Sequence, residues 1–389
     1  MLLPGHGQKK DQRKKDSIMN IIVVFVLWFV AAEALLTAVQ LLLRKKKVKP
    51  AVRVVLAVVK VVLAVGCAVL VLAGPVFLRK VQPLMMALYV ALLADGPVDL
   101  VCAVIDAIRK GTRKFAPYKI ISLLCGVIVL VYGIWNMQTV KPTDHTYTSE
   151  KLTQTHTIVF AADLHVGSAQ PFETTKKTVD AMIALHPDCI ILGGDITDDY
   201  TTKEEMEATF ALFKDAGVPV YYIYGNHDLQ GHAKYAIGLQ YTKAEFEHAM
   251  AANGITILAD AYEELAPDVV LLGRQDFTAG DGRADAAALT AANPNPDAYL
   301  VVIDHQPTGA KDNLAAGMDL QLSGHTHAGQ LFPLKALYAL IGGYVYGDYD
   351  LDGATLNVSA GVCGWRMPLR TDAHCSYEVI TLKPATAAN

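Results

Sequence analysis

The sequence predicts two unlike parts, an α-helical transmembrane bundle followed by a layered α/β domain. Three observations carry this reading. Long apolar stretches fill the first 140 residues, short apolar runs alternate with amphipathic helical stretches after them, and five of those runs end at once in Asp, His or Asn. Charge divides at the same place. Residues 1–140 hold 19 Lys/Arg and 6 Asp/Glu (+13), residues 141–389 hold 15 and 32 (−17), and the two sum to the chain's −4. The length of 389 residues suits two or three folding units. A hydrophobic content of 52% excludes disorder, collagen-like repeats and a small disulfide scaffold. The acidic half has no basic stripe, so the phosphate attraction that dominates nucleic-acid binding is missing and no nucleic-acid partner is expected.

The membrane elements come first. Ile18 to Leu43 carries one charge, Glu33, and Pro117 to Gln138 carries only Lys119. Either is long enough to cross about 30 Å of hydrocarbon as a helix. Val54 to Val76 holds Lys60, and Leu84 to Ile108 holds Asp95, Asp99 and Asp106. The expectation is about four spans in a domain of residues 1–140, with Gly96-Pro97 able to break the third. Basic residues before Ile18 and Ala31-Ala32 after it also fit a cleaved signal peptide, but the apolar stretch outruns a 7–15 residue signal core, which favours an uncleaved anchor. Lys60 is expected to reach towards a basic loop, and the Asp residues to sit at span ends or inside the bundle. Membrane lipids are therefore expected partners. About nine Lys/Arg flank the spans on one face and about eight on the other, an inconclusive margin. The sparse positive charge after the last span, with an acidic domain beyond it, favours an integral membrane protein whose C-terminal part is extracytoplasmic.

Residues 141–154 read as a linker and 155–389 as the second domain. There, strands are expected at Thr157–Ala161, Cys189–Leu192, Val218–Tyr224, Ile255–Leu258, Val269–Leu272, Tyr299–Ile303 and Leu320–Leu322. Helices are expected around Thr174–Ala184, Thr202–Ala216 and Lys243–Asn253. Polar residues at strand carboxyl ends converge on one edge of such a sheet. The converging set is Asp163, His165, Asp195, Asn226, His227, His305, His325 and His327. Carboxylate and imidazole ligands with an amide oxygen suit Mn, Fe or Zn better than Ca or Mg. Eight candidates exceed what one catalytic ion takes, so two divalent metal ions are expected. Singly, Asp-x-His, Gly-Asn-His-Asp and Gly-His-Thr-His each occur by chance in loops; their joint occurrence in order at strand ends does not. Cys67, Cys102, Cys125, Cys189, Cys363 and Cys375 form no Cys-x-x-Cys pair and suggest neither a disulfide framework nor a thiolate site.

The ordered set Asp163-Leu164-His165, Gly194-Asp195-Ile196-Thr197-Asp198, Gly225-Asn226-His227-Asp228, His305 and Gly324-His325-Thr326-His327 resembles the calcineurin-like metallophosphoesterases, over about residues 155–383. The strings from His186 to Asp195 and from Asp319 to Gln330 look like the membrane-associated bacterial phosphodiesterase branch, related to lipid-sugar pyrophosphohydrolases. The resemblance implies a four-layer α/β/β/α sandwich. It implies Asp163, His165 and His327 on one metal, Asn226, His305 and His325 on the other, and Asp195 bridging both. Ala328 stands where glycine is common, and Ala373 to Glu378 lacks a Pro-Pro-Glu-like segment; neither departure touches a ligand.

The chemistry expected is hydrolysis of a phosphodiester or pyrophosphate, in which two metals neutralise phosphate charge and lower the pKa of a water. His227 is expected to protonate the leaving oxygen, with Asp228 orienting it. Arg366 and Arg370 are candidate phosphate forks. Asp198, Asp199 and Asp276 are expected to support the site from outside or to cap helices. Loops 228–242 and 331–350, rich in Tyr and Leu, suit a lipid-facing rim as well as ordinary packing. The competing function is a membrane sensor or transport-associated protein with a non-catalytic metal-binding domain, which would have no need of a general acid. A zinc peptidase would require His-Glu-x-x-His on a helix, and the chain has no such string.

Overall fold

The computed structural model describes residues 27–41, 49–73, 82–109, 115–231, 238–276 and 282–385. Two compact units divide the chain, Met1–Trp135 and Asn136–Asn389.

The first unit is helical: α1 (Leu27–Leu41), α2 (Pro50–Ala73), α3 (Gln82–Arg109) and α4 (Phe115–Gln138). Among the described residues, α2, α3 and α4 are long and apolar enough to cross a membrane, whereas α1 is shorter. Residues 18–26 and 42–43 of the first expected span lie outside the described residues. The break foreseen at Gly96-Pro97 does not occur, because α3 runs through Pro97. Neighbouring helices let a membrane helix tolerate proline. Here α2 packs against the bare face of Gly96, where an added Cβ would come within 2.8 Å of Val61 Cγ2. Lys60 does not reach for a loop. Its Nζ pairs with Asp95 Oδ2 at 2.7 Å and with Asp99. Lys119 Nζ meets Asp95 Oδ1 at 2.8 Å and Glu33 Oε2 at 2.7 Å, and Gln40 and Ser122 also donate to Asp95. In an apolar medium a charge is held by an opposite charge at contact distance, so the intramembrane acids and lysines are interior partners.

The second unit holds two six-stranded sheets. The first has the order β1-β12-β2-β3-β4-β5 and the second β10-β11-β9-β8-β7-β6. The first comprises β1 (Val140–Ser149), β2 (His156–Ala161), β3 (Cys189–Leu192), β4 (Val220–Tyr222), β5 (Ile255–Ile257) and β12 (Cys375–Pro384). The second comprises β6 (Ala261–Ala266), β7 (Val269–Gly273), β8 (Tyr299–Ile303), β9 (Leu320–Ser323), β10 (Gly347–Leu351) and β11 (Ala354–Val358). The expected linker 141–154 is therefore a correction, since β1 pairs in parallel with β12 from Val140 opposite Cys375 to Ser149 opposite Pro384. Its alternation of polar and half-buried residues is that of an edge strand with one covered face.

Period-two alternation builds the layers. In β2, Ile158 and Phe160 join a core shared with Val301, Ile303, Leu320 and Leu322 of the second sheet. The intervening Val159 and Ala161 face the other way, onto Val179 and Met182 of α5 (Phe172–Ile183), Met206 and Phe210 of α6 (Lys203–Ala211) and Phe246 of α7 (Lys243–Ala251). Likewise Val269 and Leu271 of β7 point between the sheets. Val270 and Leu272 pack under α8 (Ala286–Ala292) and α9 (Ala310–Ala315) with Leu289 and Leu314. This is the four-layer α/β/β/α sandwich. α6 and α7 start on capping boxes, Thr202 with Glu205 and Thr242 with Glu245, and each ends a few residues earlier than the sequence suggests. A last short helix, α10 (Leu334–Leu340), follows β9.

Candidate metal centre

Five strands from both sheets deliver their carboxyl ends to one edge. β2 leads to Asp163 and His165, β3 to Asp195, β4 to Asn226 and His227, β8 to His305, and β9 to His325 and His327. The loops cross at close range. Asp163 N donates to Gly194 O, His165 N to Asp195 O, and Gly324 N to His305 O, each at 3.0 Å. Close approach explains the glycines of the motifs. A Cβ on Gly324 would lie 2.5 Å from Asp163 Oδ2, and one on Gly225 would run into the Asp195 carboxylate. Backbone strain gathers at the same place, with positive φ at Asp163 (56°), His165 (40°), Asp195 (51°), His325 (71°) and His327 (50°).

Asp163, His165 and His327 offer ligand atoms within 4.8 Å of one another, and so do Asp195, His305 and His325. His165 Nε2 lies 3.8 Å from Asp163 Oδ1 and 3.7 Å from Asp195 Oδ2, too far to hydrogen bond. Both ring nitrogens of His165 and Oδ1 of Asn226 are buried without a hydrogen-bond partner. A buried polar atom left so is costly unless something binds it. The donor set thus fits divalent cations: carboxylates, imidazoles and an amide oxygen, aimed inward, with unmatched lone pairs. Backbone carbonyls set the imidazoles. Gly193 O holds His305 Nδ1 at 2.9 Å and Cys363 O holds His327 Nδ1 at 3.1 Å, turning each Nε2 into the site.

Electrostatics separate the groups. Burial alone would raise the Asp195 carboxyl, yet His305, His227 and His165 around it hold it well below the usual carboxylate range. Burial, reinforced by His305, drops His325 to about 4, so its imidazole is neutral and able to ligate. Burial opposes charge on His227 as well, but Asp195 and Asp199 lift it to about 9.

Two expectations are corrected here. Asp228 does not orient His227. Its buried carboxylate accepts from the backbone N–H of Asp195 (2.8 Å), Thr197 (3.0 Å) and Gly225 (2.8 Å), tying the loop after β3 to the loop after β4. The carboxylate beside His227 is Asp199, with Oδ2 3.5 Å from His227 Nδ1. Arg370 is not available to a substrate either. It is fully buried, and its guanidinium donates to the carbonyls of His327 (2.5 Å), Ala360 and Gly361, so it braces the loop that carries His327. Arg366 lies over the Trp365 ring at 3.8 Å, and that ring is 5.0 Å from His227. Sequence reasoning missed Trp365, because no motif precedes it and only the fold brings it to His227. Asp276 sits behind the site and accepts from Gln306, next to His305.

The chain carries a calcineurin-like phosphoesterase domain, since the family model of that description matches residues 156–329. A zebrafish (Danio rerio) transmembrane protein with metallophosphoesterase domain is 27% identical over 302 residues, covering 72% of this chain and 65% of that protein. The chain thus spans less than two thirds of that relative's length. An uncharacterized metallophosphoesterase of Bacillus subtilis, YkuE, is 27% identical over 58% of this chain and 78% of its own. The Escherichia coli phosphodiesterase YaeI is 29% identical over 45% of this chain and 61% of its own.

Proposed function

We propose, from the premise that residues 156–329 form a calcineurin-like phosphoesterase domain, that this protein is a membrane-anchored dimetal phosphoesterase cleaving phosphodiester or pyrophosphate bonds. Lipid-linked or cell-envelope phosphate compounds are the substrate class that suits an enzyme anchored in a bilayer. The observation that carries the reading is the pair of buried Asp/His clusters meeting at one sheet edge with unmatched ligand atoms. Support for the diester comes from the Escherichia coli relative, which is named a phosphodiesterase.

In this reading Asp163, His165 and His327 would hold one ion and Asn226, His305 and His325 the other, with Asp195 as a ligand available to both. Two Mn, Fe or Zn ions, when bound, neutralise phosphate charge and make water a nucleophile at neutral pH. The protein's own residues do the rest. His227 sits beside the cluster without being needed as a ligand, and carries the proton that the leaving oxygen takes. Asp199 and Trp365 hold its ring. Arg366 stands at the rim, where its guanidinium meets a second phosphate or an esterified oxygen. The sparse positive charge after the last span supports a catalytic unit outside the cytoplasm in this reading.

Purified full chain with added Mn²⁺ is to be offered an aryl phosphodiester, an aryl phosphomonoester and a lipid pyrophosphate. Turnover of the diester or the pyrophosphate is expected, with His227→Asn losing it by roughly 10²–10⁴-fold at nearly unchanged metal content. No turnover of any substrate with both ions bound overturns the reading in favour of a metal-binding sensor.

A further inference from the structure

Close to the metal edge, the second unit carries an apolar surface that its own core does not cover. After His327 the chain runs through residues 331–346, which hold nine aromatic, Leu or Ile residues, one Lys and no acidic residue. Leu331, Leu334 and Val345 are buried and fix the segment to the domain. Thr326, between the two candidate ligands His325 and His327, donates its hydroxyl to Val345 O at 2.7 Å, and Gly343 N donates to Tyr338 O at 3.0 Å. The segment is therefore folded in place, yet its outer face is apolar. Leu340 is 82% and Ile341 80% exposed, and Phe332, Leu337 and Tyr338 are exposed beside them. Among the described residues of this unit, the other exposed large apolar side chains are Leu185, Tyr200 and Leu239, scattered singly. Single exposed apolar residues need no explanation, whereas a fastened cluster of five does.

We infer that α10 and the turn after it rest in the interfacial layer of the bilayer that the chain's own helices enter. The inference rests on the membrane-anchored reading above and goes beyond it by naming the surface that touches lipid. Three features commit the surface to a bilayer. The chain leaves α4 at Gln138 and enters β1 at Val140, so a single residue separates a membrane-length helix from the sheet and keeps this unit at the membrane. The segment is free of acid in an otherwise acidic half, so it meets anionic headgroups without repulsion, and its one cation, Lys335, is already paired with Asp372 at 2.8 Å. Its aromatic and aliphatic mixture, with Tyr338 next to Leu340 and Ile341, is that of interfacial anchors. Since the segment starts four residues after His327, seating it in the headgroup layer presents the metal edge to phosphates borne by lipids.

The full chain is to be reconstituted in phosphatidylcholine/phosphatidylglycerol vesicles doped with a diazirine-acyl lipid, photolysed, and its peptides compared. The peptide after Lys335 is expected to label at least about fivefold above the α6 peptide, which has no exposed apolar cluster. Leu340→Glu combined with Ile341→Glu should bring it down to that control while turnover of a soluble aryl diester stays unchanged, showing that the variant is folded. Labelling of the wild-type peptide no higher than the control overturns the inference. So does labelling only by a lipid-borne phosphate, which would mean an acyl pocket, or cross-links between two copies, which would mean self-association. Diester turnover by the wild type, measured on the same sample, reports separately on the phosphoesterase reading.

Discussion

His227 turns Nδ1 towards Asp199, 3.5 Å from Oδ2, while its chain neighbour Asp228 faces backbone amides on the other side. A carboxylate at that distance favours the imidazolium, which the proton-donating role proposed for His227 requires. Asp199→Asn is expected to lower kcat roughly 10–100-fold with metal content unchanged. Because the carboxylate raises His227, its removal lowers the pH at which the proton is lost. The basic limb of the pH–kcat profile should therefore move to lower pH. A variant with lower kcat and an unmoved limb would mean that Asp199 acts only on structure.

Asp228 is a structural tie, and its variant should behave differently. Three buried N–H groups, from Asp195, Thr197 and Gly225, point at one carboxylate. Asp228→Ala strands all three, at about 1–3 kcal/mol each before relaxation. The expected outcome is a thermal midpoint lowered by many degrees and a reduced yield of folded protein. Wild-type stability with only kcat diminished would return Asp228 to the proton relay.

The contrast between these two residues shows what was legible in the sequence. Ligand candidates are fixed by a local rule, a polar residue immediately after a buried strand, and that rule survives whatever the rest of the chain does. Partnership is not local. Asp228 is adjacent to His227 in sequence, but the turn sends consecutive side chains in opposite directions, so Asp199, 28 positions earlier, takes the place. Arg370 resembles a phosphate fork in sequence and becomes a brace only because His327, Ala360 and Gly361 bring their carbonyls round it. The sequence of β1 reads as a linker because its apolar content is low; its partner β12 lies more than 200 residues away, and no short pattern announces a parallel edge pairing. The membrane helices were legible because length and hydropathy suffice, whereas the pairing of Lys60 with Asp95 and Asp99 needs the helices side by side.

A pH-dependent latch lies at the start of the second unit. His145 on β1 sits between Glu378 of β12 (Nε2–Oε2 3.0 Å) and Asp348 of β10 (Nδ1–Oδ2 3.6 Å), so it joins the two sheets. Burial works against its charge, but the two carboxylates win and lift it from 6.5 to about 9. The folded state then keeps a proton that the unfolded chain releases above 6.5. Its contribution is complete below that pH and is lost as pH rises towards 9, on the order of 1–2 kcal/mol after screening. Thermal midpoints of the full chain in detergent, taken at pH 6.5 and pH 9, should fall more for the wild type than for His145→Gln. Equal slopes for the two would remove His145 from the account.

The charges of the intramembrane network are held by one another. Asp95 receives Lys60, Lys119, Gln40 and Ser122, while Lys60 also serves Asp99. Lys60→Met leaves Asp95 with Lys119 as its cation and takes Lys60 from Asp99, to which Gln40 Nε2 still donates at 2.9 Å. Breaking a buried pair on one side costs about 3–5 kcal/mol, whereas replacing both partners can be nearly neutral. Lys60→Met should therefore lower the SDS-unfolding midpoint of the purified chain strongly, and Lys60→Met with Asp99→Asn should recover much of it. If the double variant is no more stable than the single one, Asp99 is not the charge left stranded, and Asp95 alone accounts for the cost.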